Sequence, residues 1–167
     1  MSAWPRQSEC DSYYGNPRGK NGGPSAAWEA ENLVYVAAFD LPFILYYDGK
    51  PVTRVRVHKK VRDAFLRVLN RIWEASGKSQ AKVDEWGMSK YAGCYLFRNK
   101  RAGHTLSMHS YGCAFDFDPA NNGFRDATPR FARYPEVLKA WATEGAVWGG
   151  DWKTSPDGMH WQFALVG

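Results

Sequence analysis

The stretch that decides the fold spans residues 107–118 of a 167-residue chain and reads SMHSYGCAFDFD. Its second half alternates in polarity, and successive side chains of a strand point to opposite faces of a sheet. Phe115 and Phe117 therefore mark a face that packs into a core, and Asp116 lies on the other face. The pattern predicts a strand over 113–118 with a polar site on its outer side.

His109 lies seven residues before Asp116, so a single unbroken strand would place the two side chains on opposite faces. Gly112 can interrupt the strand with a turn, and a turn there would allow the His109 side chain to point toward Asp116. Cys113 falls on the phenylalanine face and is interpreted as a small buried residue. Asp118 shares the face of Asp116 and is the alternative ligand for any metal bound there.

A second segment, residues 157–163, reads DGMHWQF and leads into the last predicted strand, 159–165. His160 and Gln162 share one face of it, and Asp157 lies in the Asp-Gly turn just before it. Two imidazoles and a carboxylate are a common ligand set for catalytic zinc, and a further carboxylate beside them can serve as a base. A single histidine is more often a packed or surface residue, and an Asp-Gly pair is more often only a turn. The prediction of a zinc site therefore rests on the two histidines and the carboxylates taken together.

The rest of the chain predicts an α+β fold, a small antiparallel sheet flanked by helices. Apolar residues at helical spacing predict an amphipathic helix from about Val57 to Ala75, and a second helix is expected over about 135–144. Further strands are predicted at 91–98, 145–149 and 159–165, and the segments 33–39 and 42–47 are expected to be short strands or buried extended segments. We expect one domain, 1–167, in which 1–25 is a loop-rich N-terminal segment.

The composition of the chain limits the classes of protein to which it can belong. The chain has 44% hydrophobic and 23% charged residues and a net charge of +5, which is typical of a globular protein. Residues 50–67 hold seven basic residues against one acid, a pattern that fits either a polyanion-binding surface or a solvated helix face. No run is long enough for a membrane span, and the first residues lack the pattern of a secretory signal. The three cysteines cannot all pair, which argues against a disulfide scaffold.

The two motifs resemble the signature of the zinc D-alanyl-D-alanine peptidase family. The pattern S-x-H-x-x-G-x-A-x-D is met from Ser107 to Asp116, and D-x-x-H-W is met from Asp157 to Trp161. The family includes D,D-carboxypeptidases, dipeptidases and phage endolysins that cut the L-alanyl-D-glutamate bond of peptidoglycan. With an aspartate at position 157, the second motif resembles that of the endolysin and carboxypeptidase branches. The resemblance implies a Hedgehog/DD-peptidase-like fold.

The resemblance also implies a role for each motif residue. It implies one zinc ion bound by His109, Asp116 and His160, with Asp157 as general base. It implies that Arg98 positions or polarises the scissile carbonyl. The fork geometry of Arg98 would also suit a substrate carboxylate, and the alternative is a surface arginine in a basic loop. Ser107 is expected to brace the His109 loop, and Trp161 to wall the site. His58 and His104 match no motif and are predicted to be surface or helix-start residues.

We therefore expect a zinc peptidase that acts on peptidoglycan stem peptides, with the L-alanyl-D-glutamate bond as target, in a phage endolysin that lyses its host. Such a protein would be a monomer that stays in the host cytoplasm and reaches the cell wall after release. It would have no separate cell-wall-binding domain, would dock on the anionic envelope through residues 50–67, and would bind no nucleic acid. The alternatives are a cellular D,D-carboxypeptidase or dipeptidase, and a zinc-binding module without turnover.

Overall fold

The computed structural model describes residues 3–100 and 103–166 of the chain. Within them lie five α-helices and eight short strands. The helices are α1 (Cys10–Tyr14), α2 (Ala26–Asn32), α3 (Arg62–Ala75), α4 (Gln80–Trp86) and α5 (Pro135–Thr143). The strands are β1 (Leu33–Ala37), β2 (Tyr46–Tyr47), β3 (Lys50–Pro51), β4 (Arg54–His58), β5 (Tyr91–Gly93), β6 (Ala114–Phe117), β7 (Val147–Trp148) and β8 (His160–Gln162).

The strands form three small antiparallel sheets. β1 pairs with β4, β2 pairs with β3, and the third sheet has four strands in the order β5-β6-β8-β7. With helices packed beside these sheets, the α+β class predicted from the sequence is confirmed.

Helices α3 and α5 cover one face of the four-stranded sheet. Phe65 of α3 stacks on Phe115 of β6 with ring centroids 4.2 Å apart, and Trp141 of α5 stacks on Trp161 of β8 at 4.8 Å. All four side chains are buried, and burial of rings this large is a leading source of folding free energy. The helices thereby fix the apolar face of β6 and β8, and the alternate residues of both strands are left for the other face.

The predicted first helix is wrong over its first turn. The segment 57–61 is not helical, because Arg54–His58 forms strand β4, and the helix begins at Arg62. Val55 and Val57 are buried while Arg54 is exposed, which is the two-residue period of a strand. Val57 happens to match both periods, so the apolar spacing alone could not separate strand from helix.

The other predicted elements are present, with shorter bounds in the strands. The predicted strand over 91–98 is a strand only at Tyr91–Gly93, and α4 was not predicted at all. The segment 1–25 carries α1, and Tyr14 at its end is buried and donates its hydroxyl to Phe163 O at 2.6 Å. No helix in the described residues is long and apolar enough to cross a membrane.

Candidate metal centre

His109 reaches the site from a turn. It lies in a 3-10 helix, Met108–Tyr111, that ends at Gly112 in the left-handed conformation with φ of 67°. A Cβ at Gly112 would lie 2.8 Å from Leu33 Cδ2 and 2.9 Å from His58 N, so both conformation and space require glycine. The break that the sequence predicted before β6 is therefore confirmed.

Asp116 and His160 are brought together by strand pairing. They are cross-strand partners in the register of β6 and β8, on the face of the sheet opposite the helices. Asp116 Oδ1 lies 3.2 Å from His160 Nδ1, and Asp116 Oδ2 lies 3.2 Å from His109 Nε2. One ligand atom from each of the three residues lies within 4.8 Å of the others. The structure thus assembles the predicted ligand set of two imidazoles and one carboxylate.

The outer nitrogens of both imidazoles are held by acceptors. His109 Nδ1 lies 2.7 Å from the carbonyl oxygen of Cys94, which can only accept, so the proton is on Nδ1 and Nε2 is the inner nitrogen. Gln162 Nε2 donates to Ala164 O at 2.9 Å, which turns Gln162 Oε1 toward His160 Nε2 at 2.8 Å. His160 Nε2 is therefore the donor, and its Nδ1 faces the carboxylate. Both rings present an inner nitrogen suited to a metal.

The electrostatics of the three groups are coupled. Burial on its own raises the pKa of Asp116, but His109 and His160 outweigh it and hold that pKa well below the usual range of a carboxyl. Burial on its own lowers the pKa of His160, but the bond to Asp116 outweighs it, so the net shift is upward. The carboxylate is therefore charged at neutral pH, as a ligand must be.

The residues present fit a divalent metal of the zinc type. His109 Nε2 is buried, and no group in residues 3–100 and 103–166 meets it in hydrogen-bond geometry, although Asp116 Oδ2 is near. A buried ring nitrogen without a hydrogen bond beside a carboxylate is costly unless another ligand completes it. Two imidazole nitrogens and one carboxylate oxygen are donors that zinc prefers, and three protein ligands leave a position open for chemistry.

A cavity of about 560 Å³ opens beside this centre. His160, Asp157 and Arg98 line it, so the predicted base and the predicted arginine border the same space as one of the ligands. The backbone holds Asp157 in place, because its N–H donates to Gly149 O at 2.8 Å and its carbonyl accepts from His160 N at 3.1 Å. A larger cavity of about 880 Å³ lies beyond β5 and is lined by none of these residues. The roles of Asp157 and Arg98 stay predictions.

Ser107 and Trp161 differ in their relation to the centre. Ser107 Oγ accepts a hydrogen bond from His109 N at 3.3 Å, which is the contact that bracing the loop requires. The prediction that Trp161 walls the site is corrected by the structure. Trp161 is fully buried on the helix-covered face, against Trp141 and Phe131, because it alternates with His160 along β8.

Two further predictions are corrected. Asp118 is not an alternative ligand, because its backbone turns to a φ of 47° after β6 and its carboxylate accepts from Asn121 Nδ2 at 3.0 Å. His58 is not a surface residue: it ends β4 fully buried, with Nε2 2.9 Å from Tyr14 O. His104 is exposed, as predicted.

Sequence reasoning missed the groups that hold the imidazoles. Gln162 could have been found, because the alternation of HWQ places it on the face of His160. The Cys94 carbonyl could not, because a backbone acceptor 15 residues from His109 carries no side-chain signal. Trp152 was missed as well: it lines the cavity with its ring centroid 5.4 Å from that of His160.

Comparison with known proteins bears on the same segment. The family model described as D-alanyl-D-alanine carboxypeptidase matches residues 100–163, a span that includes all three ligand candidates and Asp157 but not Arg98. No curated protein and no solved structure matches the chain. The family match and the His-Asp-His cluster together support a metallopeptidase.

Proposed function

We propose that the protein is a zinc-dependent peptidase that hydrolyses an amide bond in peptidoglycan stem peptides, with the L-alanyl-D-glutamate bond as target, and that it serves a phage as an endolysin. The observation that carries the proposal is the placement of His109, Asp116 and His160 in one cluster beside a cavity that Asp157 also lines. The similarity to D-alanyl-D-alanine carboxypeptidases over this segment supports the substrate class.

In this proposal each residue of the site has a separate role in hydrolysis. His109, Asp116 and His160 hold the zinc ion, which when bound supplies Lewis-acid activation of water and of the scissile carbonyl. Asp157 accepts the proton of the attacking water and returns it to the leaving amine. Arg98 donates to the carbonyl oxygen as negative charge develops there. Trp152 shields His160 from bulk water on the cavity side.

Digestion of purified sacculi tests this function. We expect the zinc-loaded protein to release muropeptides with new L-alanine C-termini, seen by mass spectrometry. Excess chelator should abolish release, and zinc should restore it. Asp157→Asn should retain bound zinc and lose at least about a hundredfold in rate, the usual contribution of a general base. Full activity in excess chelator would refute the metal mechanism.

A cellular D,D-carboxypeptidase or dipeptidase is the second candidate, favoured by the description of the matching family. The same digestion separates the two, because that enzyme would free D-alanine and create no new L-alanine C-terminus. A zinc-binding module without turnover would bind zinc and release neither product.

We also propose that the basic segment, residues 50–67, docks the protein on the anionic envelope. Within this segment Arg62 pairs with Asp40 and Arg67 with Glu144, so these charges also serve the fold. Lys50 and Arg54 are exposed and form no ion pair with a described residue. Lys50→Gln with Arg54→Gln should weaken sacculus binding at low salt and leave cleavage of a small soluble peptide unchanged. Equal loss on both substrates would contradict this docking role.

A further inference from the structure

The cavity beside the metal centre is strongly basic. It is about 560 Å³ in volume, and Asp157 is the one carboxylate among the described residues that line it. Four basic side chains line it: Arg98, Lys100, Arg125 and Lys153. A concave site with charge of one sign focuses the electrostatic potential and attracts ligands of opposite charge.

Most of these charges are not neutralised by the protein. In the described ranges, 3–100 and 103–166, no carboxylate forms an ion pair with Arg98, Arg125 or Lys153. Lys100 donates to the neutral Gln7 Oε1 at 2.7 Å. Glu144, by contrast, binds two arginines of α3, Arg67 and Arg71. The cavity therefore keeps donors available for an acidic ligand.

Two of the cations sit on loops that are fixed against each other. Arg125 N donates to Pro156 O at 2.7 Å, and Phe124 forms an antiparallel bridge with Asp157. Arg125 and Ser155 both hold a positive φ, 68° and 53°, which a side-chain-bearing residue rarely adopts. Such strained residues cluster at ligand sites, where the surrounding structure holds them in place.

We propose that Arg125 and Lys153 bind a carboxylate of the substrate that lies outside the scissile amide, so that the cavity selects acidic peptides. The proposal rests on the proposed function, since it names what that site recognises. The guanidinium of Arg125 offers a fork of donors that matches a carboxylate, and Lys153 adds a second charge. In a stem peptide that carboxylate is the free α-carboxyl of a D-glutamate linked through its γ-carboxyl.

Calorimetric titration with two matched peptides tests the proposal. The first is L-alanyl-γ-D-glutamyl-L-lysine amide, and the second differs only in that the glutamate α-carboxyl is an amide. The zinc-loaded Asp157→Asn protein is used so that the peptides stay intact. We expect about tenfold tighter binding of the acid than of the amide, as for a charge-assisted hydrogen bond. Raising the salt from about 0.05 M to about 0.5 M should erase most of that preference.

Variants assign the preference to the two cations. Arg125→Asn removes the charge but keeps a residue that tolerates positive φ, and Lys153→Gln is its counterpart on the other loop. Each should reduce the acid-to-amide ratio, and together they should bring it close to one. Lys139→Gln, an exposed charge on α5 outside the cavity, is the matched control and should keep the ratio. If Arg125→Asn does not fold, Lys153→Gln still gives the answer.

Equal affinities for the two peptides, or an undiminished preference in the double variant, would overturn the proposal. The proposed function fails in a different way. If the zinc-loaded wild-type protein cleaves neither peptide and yet binds the acid more tightly, hydrolysis of the L-alanyl-D-glutamate bond is refuted and recognition of an acidic peptide stands.

Discussion

The candidate metal centre depends on where two protons lie on two imidazole rings. The Cys94 carbonyl holds one proton on His109 Nδ1, and the side chain of Gln162 holds the other on His160 Nε2. Ala164 O fixes the amide of Gln162, so the orientation of His160 is set by a chain of two hydrogen bonds. Partners of this kind orient a ligand and raise its basicity.

Gln162→Ala should weaken zinc binding by about ten- to a hundredfold, the usual cost of losing the partner of a histidine ligand. Without Oε1, His160 Nε2 loses its acceptor and the ring can turn or change tautomer. Competition with a zinc-binding dye measures the affinity. Gln162→Glu keeps an acceptor at the same place and should stay within a few-fold of the wild-type protein. Equal weakening in both variants would mean that packing, and not the acceptor, is what Gln162 supplies.

His58 is a buried neutral histidine whose two nitrogens are both satisfied. Nε2 donates to Tyr14 O at 2.9 Å, and Nδ1 accepts from Lys60 N at 3.0 Å. Burial lowers its pKa to about 4, and the charges of Lys59 and Lys60 act in the same direction. The rings of Tyr14 and Trp28 pack against it, and neither side chain carries a negative charge that could stabilise a protonated imidazole.

The free energy of unfolding should therefore fall as the pH drops from about 6.5 to about 4. In that window the unfolded histidine takes up a proton and the folded one does not, which favours the unfolded state by up to about 3 kcal/mol. His58→Gln should be less stable at pH 7 but should lose this part of the pH dependence. Urea unfolding at pH 7, 6 and 5 measures the difference, in which the contributions of Asp116 and His160 cancel. Parallel profiles for the two proteins would contradict the buried neutral state.

At the scale of elements, the turn before β6 brings His109 to the two ligand candidates on β6 and β8. Gly112→Ala should lower the free energy of unfolding by about 3 kcal/mol, since it combines left-handed strain with a clash against Leu33 and the backbone of His58. Gly22→Ala is the matched control, because Gly22 also has positive φ but a Cβ added there would meet no atom within 4 Å. Gly22→Ala should lower the free energy of unfolding by the cost of left-handed strain alone, about 1–2 kcal/mol. Urea unfolding of both separates the two effects, and an equal loss would show that no clash exists.

Elements with a clear local period could be predicted from the sequence, and those that depend on distant partners could not. The strand at 113–118 and the helix ending at Ala75 follow from alternation and from helical spacing. The start of that helix was misplaced because Val57 belongs to β4, whose identity depends on pairing with β1. Strand pairing is a long-range property, and short segments carry little information about it.

The same division holds for the centre itself. His109, Asp116 and His160 could be predicted together because a glycine break and two alternations place them on one face. The opposite placement of Trp161 follows from the same alternation, which should have excluded it from the wall of the site. The Cys94 carbonyl and the basic loop at Arg125 could not be predicted, because tertiary packing alone brings them to the cavity.

At the scale of the molecule, the net charge of +5 is less informative than its distribution. Arg62, Arg67 and Arg71 form ion pairs with carboxylates of the fold, whereas Arg98, Arg125 and Lys153 form none with any carboxylate in the part of the chain that the structure describes. The pair of Arg62 with Asp40 is exposed and contributes little to stability, whereas the Glu144 side chain that binds Arg67 and Arg71 is nearly buried. In the proposal above, the charge that captures an acidic ligand lies beside the candidate metal centre.

Metal binding should stabilise the whole molecule, because the three ligands join β6, β8 and the 3-10 helix that carries His109. A ligand that binds the native state alone adds about 2.7 kcal/mol when its concentration is a hundred times Kd. For a chain of this size that raises Tm by about 5–10 °C. Thermal unfolding with and without zinc measures the shift, with chelator added to the metal-free sample.

Variants test whether the rise in Tm with zinc comes from binding at the His-Asp-His cluster. Asp116→Asn should abolish it, because the charged ligand shared by both imidazoles is lost. Gln162→Ala should reach the same maximal shift but at a higher zinc concentration, since the ligands remain and only their orientation is weakened. Asp157→Asn should keep the shift in full if Asp157 is the base and not a ligand. Zinc that raised Tm equally in the wild-type protein and in Asp116→Asn would bind somewhere else, and the His-Asp-His cluster would then not be the metal centre.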